Sequence, residues 1–327
     1  MQQKNIIVKK IVYPKSTEQL IERLKLKDLK ICDVNSAKEI LFKMGYSSIK
    51  KYRTPVYDNK TKKYIYKSSI EDIYKIYEFD MDLKMLFLKY FLSIENLFRD
   101  SYNFLVYYKI NSKNAMARNN FDCSKNKNNT SNFNDFKMSS EKNAKNRVKW
   151  IAMYINEGYE IPSWLLFDSF NMGFISKYYD FLDHSLKKEI SKYISDKRNI
   201  FIKNKWILSF LKSLTCARNL CVHNEPLFSN VDYEIMKDSV KKFMPLYSKK
   251  NKNEYEQCGS IGLFSYVIIF KYLLSKKEFE DFFKGFINIL KKFKKNISKQ
   301  IFRQVVAIMK IPSNYKKIVS MDVNNHE

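Results

Sequence analysis

Apolar residues recur at helical spacing along most of this chain, and the polar residues between them mark where each helix starts and stops. STEQLIERLKLK reads as a first short helix capped by Ser16 or Thr17. NSAKEILFKMG reads as a second, capped by Asp33 or Asn35 and stopped at Gly45. Tyr46 to Tyr66 is rich in Tyr and Lys, contains Pro55, and reads as a loop or short hairpin. From Ile70 to Tyr108 the apolar positions Ile73, Ile76, Tyr77, Leu83, Leu86, Phe87, Tyr90, Phe91, Ile94, Leu97 and Phe98 describe one long helix with a wide apolar face.

Asn111 to Asn146 breaks the pattern. It is dense in Asn, Ser and Lys, almost without aliphatic residues, and reads as a flexible insertion. Helical spacing resumes at Arg147 to Asn156, then in PSWLLFDSFNMGFISKYYDFL opened by Pro162, in Ser185 to Ile194, in Lys205 to Val222 and in Val231 to Tyr247. Lys249 to Glu256 is a polar linker, and the stretch from about 258 to 320 is helical and strongly basic. Within it IGLFSYVIIFKYLL is the most apolar run. It is interrupted by Lys271, is too short to span a bilayer, and predicts a buried helix. The whole predicts an all-α fold in three regions: 1–69, a helical and loop region; 70–248, a helical core interrupted by the insertion at 111–146; and 249–327, a basic helical region.

Composition agrees. Six Gly and six Pro in 327 residues are too few for a turn-rich β protein. The net charge of +26 then points to a polyanionic partner, because such an excess repels itself until a polyanion neutralises it. Lys291, Lys292, Lys294, Lys295 and Lys299 are the densest basic cluster and a candidate face for an RNA backbone. The five cysteines, at 32, 123, 216, 221 and 258, form no Cys-x-x-Cys pair, which argues against zinc and disulfides and for reduced thiols in a cytoplasm. No metal site, cofactor or membrane contact is expected, and the N-terminus lacks the apolar core of a signal peptide.

Of the three histidines, His184 follows Asp183 in a polar turn and His326 lies in the tail; His223 lies in LTCARNLCVHNEPLFSN, five positions after Arg218. Arg218, Asn219 and His223 are the residue types that metal-free RNA cleavage needs. An imidazole takes the proton of the ribose 2′-OH or gives one to the leaving 5′-oxygen. A guanidinium neutralises charge on the phosphoryl oxygens, and an amide orients the imidazole or the phosphate. The plainer alternative is that Arg218 pairs with a core carboxylate and His223 merely caps a helix end. Glu95 and Arg99 are spaced four apart for an ion pair, and Trp164 and Trp206, in apolar stripes, are expected in the core.

The words around the motif are more specific than its spacing. SIENLFRDSYNF carries a Glu-x-x-x-Arg helix; IPSWLLFDSFNMGFISKYYDFL carries Pro162, Trp164, Met172, Gly173, Ser176 and Tyr179; WILSFLKSLTCARNLCVHNEPLFSN carries Trp206, Leu214, Arg218, Asn219, Cys221, His223, Leu227, Phe228 and Asn230. With the opening region from Ser16 to Tyr57, these stretches resemble the bacterial abortive-infection family of the AbiD/AbiF type, whose members carry a HEPN ribonuclease motif. The resemblance implies a HEPN-like helical bundle with additional N- and C-terminal helices, an anti-phage toxin, and metal-independent RNA cleavage by Arg218, Asn219 and His223, with Glu95 as site support. One motif copy implies a homodimer with a composite site. It also implies a cognate small RNA as restraint; the alternative is a non-catalytic RNA-binding module that forms a ribonucleoprotein with such an RNA. Val222 and Pro226 stand where the family often has Ala and Arg.

Overall fold

The structure, a computed structural model, describes residues 15–110, 116, 127–147, 149–229, 235–247 and 262–322. The chain divides into two compact units, Met1–Glu78 and Phe79–Glu327, so the boundary falls inside one helix.

In the first unit, α1 (Thr17–Lys25) opens with a capping box in which Ser16 and Gln19 satisfy each other's backbone N–H. α2 (Val34–Tyr52) is capped by Asp33 and kinks at Gly45, whose φ of 75° only glycine adopts at little cost. The stop expected at Gly45 is thus a bend, and helix resumes beyond it. A two-residue hairpin follows, β1 (Tyr57–Asp58) against β2 (Lys63–Tyr64), antiparallel and in the region expected to hold a loop or hairpin. α3 (Ile70–Tyr108) has the bounds its apolar face predicts.

Among the described residues the second unit holds the rest of α3 and ten further α-helices: α4 (Lys127–Arg147), α5 (Lys149–Asn156), α6 (Ser163–Asp168), α7 (Met172–Phe181), α8 (His184–Arg198), α9 (Asn204–Val222), α10 (Lys237–Val240), α11 (Leu263–Leu273), α12 (Lys276–Asn296) and α13 (Lys299–Ile308). The fold is therefore all-α, as expected. A 3-10 turn over Lys241–Leu246 continues α10, so the helix expected from 231 to 247 is broken into short pieces, and residues 231–234 lie outside the described ones. The single helix expected after Pro162 is two, α6 and α7, with Asn171 capping the second.

The Asn-rich stretch expected to be a flexible insertion contains α4. A few apolar residues explain this: Phe133, Phe136 and Ala144 are buried, and Phe136 meets Phe170, Phe174 and Phe181. Three such positions suffice to seat a helix that is polar on its other sides. The remainder of the stretch, apart from Met116, lies outside the described residues.

α11 is apolar all round and lies at the centre, every residue buried except Lys271. Phe270 on it meets Phe87, Phe91 and Phe282, joining α11 to α3 and α12 through edge-to-face and tilted rings. Gly285 on α12 lets α3 approach closely, since a β-carbon there would come within 2.9 Å of Leu86. α9 buries Trp206, Ile207, Phe210, Leu211, Leu214, Ala217 and Cys221 along one face and packs against α7 and α8. Trp206 is in the core as expected, but Trp164 is not: the residue is 51% exposed, because α6 buries the neighbouring Leu165, Leu166 and Phe167 instead. No helix among the described residues is long and apolar enough to cross a membrane.

Tyr102 ties α3 to α7 by donating to the carbonyl of Ile175 at 2.7 Å, and both residues are fully buried. Tyr102→Phe removes that donor and should cost about 1 kcal/mol; a lowered urea midpoint at unchanged m-value is the expected reading, and an unchanged midpoint would show the bond contributes nothing.

Candidate functional site

Arg218, Asn219 and His223 occupy the last turn of α9 and the residue just beyond it. α9 stops at Val222 because His223 adopts extended backbone (φ −96°, ψ 156°), while its N–H still bonds the Asn219 carbonyl at 2.9 Å. The backbone of His223, not its ring, closes the helix. The imidazole is exposed and has no hydrogen-bond partner among the described residues. Asn219 is exposed as well, and Arg218 is half-buried.

The stretch after the motif is held from a distance. The carboxylate of Asp80, on α3 and fully buried, accepts from the N–H of Leu227 at 3.0 and 3.1 Å and of Phe228 at 2.8 Å. Lys84, one turn on, pairs with Asp80 at 3.2 Å and is also buried. This pair was not anticipated as part of the site. Its signal was present: Asp80 and Lys84 lie in the apolar stripe of Ile76, Leu83 and Phe87, where charge is costly without a buried partner.

Glu95, about three turns beyond Lys84 along α3, is also buried. One carboxylate oxygen accepts from Arg99 at 3.3 Å, and the other from the N–H of Met172 at 3.1 Å, the first residue of α7. A carboxylate suits that helix N-terminus. Arg99 in turn donates to the Phe170 carbonyl at 2.6 and 3.0 Å and to Asn96 at 2.9 Å. The expected Glu95–Arg99 pair therefore forms. The charge of Arg218 also acts on Glu95, though no hydrogen bond or ion pair joins the two. Arg218 has no hydrogen-bonding or ion-pairing side chain among the described residues, so the plainer reading of it as one half of a core ion pair is not what the geometry shows.

Burial raises the Glu95 carboxyl above its ordinary value, against the opposing pull of Arg99 and Arg218. A raised folded value means that Glu95 contributes most to stability when protonated, and that this contribution falls as pH rises through the folded value. Compared with Glu95→Gln, the wild-type protein should thus lose stability from the ordinary glutamate range upward. Urea unfolding of both proteins across that range checks it, and a difference that stays flat or moves the other way would refute the assignment. Burial also pushes the Cys221 thiol up to about 12, with Asp80 adding to the effect. That favours the protonated thiol at neutral pH and makes it a poor nucleophile beside the motif.

The lysines expected to face RNA lie at the end of α12 and the start of α13. Lys291, Lys292, Lys294, Lys295 and Lys299 are all exposed. Lys292 is engaged by Asp82 at 2.8 Å, and Lys294 lies over the ring of Phe302. His184 is exposed at the first turn of α8, and His326 lies outside the described residues. Among the described residues no three His, Cys, Asp or Glu side chains gather as a metal site would require.

The match to known families spans this geometry. Residues 39–229 fit the model of the Abi-like protein family, which is more than half of the chain. The chain belongs to the Abi-like family. The matched segment runs from α2 through Asp80, Glu95 and the motif to the residues that Asp80 holds. Comparison with curated proteins and with solved structures returns no match.

Proposed function

We propose that this Abi-like protein is a metal-independent endoribonuclease of the HEPN type, acting as an abortive-infection toxin of the AbiD/AbiF kind in the cytoplasm. Family membership supports the abortive-infection role, and the net charge of +26 supports an RNA substrate. The observation that carries the catalytic reading is Arg218. Among the described residues no side chain takes up the donors of a half-buried guanidinium, Glu95 being held by Arg99 and Met172, and an exposed imidazole stands five residues on. Free donors in a fixed fork suit a phosphate.

In this reading a neutral His223 takes the proton of the 2′-OH, and the 2′-oxygen attacks the adjacent phosphorus. Arg218 neutralises the charge growing on the phosphoryl oxygens. The bond to the 5′-oxygen breaks as an imidazolium delivers a proton to it. The products are a 2′,3′-cyclic phosphate and a 5′-hydroxyl. Asn219, exposed beside His223, orients the imidazole or bonds the phosphate, and Glu95 sets the charge around Arg218. Each chain offers one motif, so two copies in a homodimer supply the two imidazoles that the proton transfers need.

The net charge and the exposed lysines equally favour a second reading, a non-catalytic module of the same fold that holds a small RNA. End-labelled single-stranded RNA, with EDTA present, separates the two. The nuclease reading expects wild type to cut and Arg218→Ala and His223→Ala not to. RNA bound but never cut, even after any co-purified RNA is stripped off, would favour the second. Equal cutting by all three proteins would put the site elsewhere.

A further inference from the structure

A cavity of about 640 Å³ lies between α4 and α7, within the size range of small-ligand pockets. Its two walls are tied together. Phe136 on α4 meets Phe174 and Phe181 on α7, and Asn143, further along α4, donates to the Ser169 carbonyl at 2.9 Å, just ahead of α7. One end of the cavity adjoins the motif helix. Asn171 and Gly173, at the start of α7, line that end. A β-carbon on Gly173 would lie 4.0 Å from the Thr215 methyl, and Thr215 donates to the Met172 carbonyl at 3.3 Å. Arg218 follows Thr215 by three residues, so about one turn of α9 separates the guanidinium from this end of the cavity.

The charge of the lining runs against that of the chain. In a protein of net charge +26 the cavity carries two carboxylates, Asp135 and Asp180, and one ammonium, Lys177. Asp180 is engaged by Lys212 at 3.3 Å. Asp135 and Lys177 are exposed and form no hydrogen bond or ion pair among the described residues. Phe136, Phe174 and Phe181 supply the apolar part. A phosphate there would meet like charge, which is costly. A base is uncharged, sets its flat faces against apolar surface, and pairs polar groups along its edge. Guanine suits this set of groups. Its N1–H and 2-amino group are neighbouring donors that match the two oxygens of one carboxylate, and its O6 accepts from an ammonium. Adenine and cytosine offer a single amino group on that edge, and uracil flanks its one N–H with carbonyl oxygens.

We propose that the cavity is a base-recognition subsite, in which a guanine adjoining the scissile phosphate is bound by Asp135 through N1–H and the 2-amino group and by Lys177 through O6. The placing of the scissile phosphate rests on the nuclease reading; the preference for guanine rests only on RNA being bound. The subsite gives the motif a sequence preference that Arg218 and His223, which meet only phosphate and ribose, do not supply.

The test uses His223→Ala protein, so that the RNA stays intact, and fluorescent single strands of about 12 nucleotides: all uridine, or uridine with one central guanosine, inosine or adenosine. Anisotropy should show the guanosine strand bound more tightly than the all-uridine strand by about 5- to 150-fold, as one two-pronged base contact provides. Inosine, which lacks the 2-amino group, should fall between. Adding Asp135→Asn should bring the ratio of the two affinities close to one. The ratio is the reading, because removing a carboxylate strengthens binding of any polyanion. Ser139→Trp, which places a large ring at a lining position, should abolish the preference too. Both positions are exposed, so thermal melts should be unchanged. Wild-type protein should cut the guanosine strand beside the guanosine.

Equal affinity for the guanosine and uridine strands would overturn the proposal. So would a ratio that survives in Asp135→Asn or Ser139→Trp, tighter binding of the adenosine strand, or no RNA binding at all. A guanosine preference that is lost in Asp135→Asn, with no cleavage by wild type, would keep the subsite and remove the nuclease reading. Cleavage that needs Arg218 and His223 but ignores the neighbouring base would do the reverse.

Discussion

His223→Ala is expected to lower the rate of RNA cleavage by about two to four orders of magnitude, the usual contribution of a positioned general acid or base. The ring is exposed and forms no hydrogen bond among the described residues, so its loss should leave the unfolding midpoint where it was. Arg218→Ala should fall in the same range, because a cation fixed beside developing phosphoryl charge is worth about 10²–10³ in rate. Arg218→Lys should restore little of it, since a single ammonium cannot reproduce the two-pronged contact of a guanidinium. The double variant should be hardly slower than either single one, because groups that act in one transition state are not additive. Single-turnover rates on a short labelled RNA give all four values. A His223→Ala protein that cuts at the wild-type rate would remove His223 from the chemistry.

Asp80→Ala should be the most destabilising single change near the site, costing about 3–5 kcal/mol. The mutation removes the acceptor of the Leu227 and Phe228 N–H groups and leaves the buried Lys84 ammonium without the carboxylate that faces it. Asp80→Asn should cost less, since its amide oxygen still accepts one of these bonds. Adding Lys84→Met to Asp80→Ala should recover part of the loss, as removing both charges is cheaper than stranding one. Denaturant unfolding measures the cycle. Additive losses would mean that the pair is not coupled. Any activity lost in Asp80→Asn would show that the anchor of residues 227 and 228 matters to the chemistry as well as to the fold.

Much of the helical framework was legible because long helices with wide apolar faces announce themselves. The bounds of α3 follow from its spacing alone, and the burial of α11 from its uninterrupted apolar run. What the spacing could not supply was partnership across the chain. Nothing in the sequence joins Asp80 to Leu227, which lie 147 positions apart, or Glu95 to the N-terminus of α7. The composition of the Asn-rich stretch hides α4, because the aromatic partners of Phe133 and Phe136 lie in α7 and the turn before it. A tryptophan in an apolar run looks buried, yet Trp164 is exposed because a six-residue helix has only one face to bury. At the candidate site, Arg218, Asn219 and His223 were readable as residue types in a motif. That Arg218 has no hydrogen-bonding side chain among the described residues, and that Glu95 is held by Arg99 and Met172, is not readable from spacing.

Attack by the ribose 2′-hydroxyl at a site carrying Arg218 and His223 can be read from one RNA made twice, once unmodified and once with a single 2′-deoxy residue immediately 5′ of the mapped cleavage position, each incubated with wild-type protein in EDTA. The unmodified strand should be cut to a 2′,3′-cyclic phosphate and a 5′-hydroxyl, and the 2′-deoxy strand should not be cut at that bond. Equal cutting of both strands, or products with 5′-phosphate ends, would contradict it.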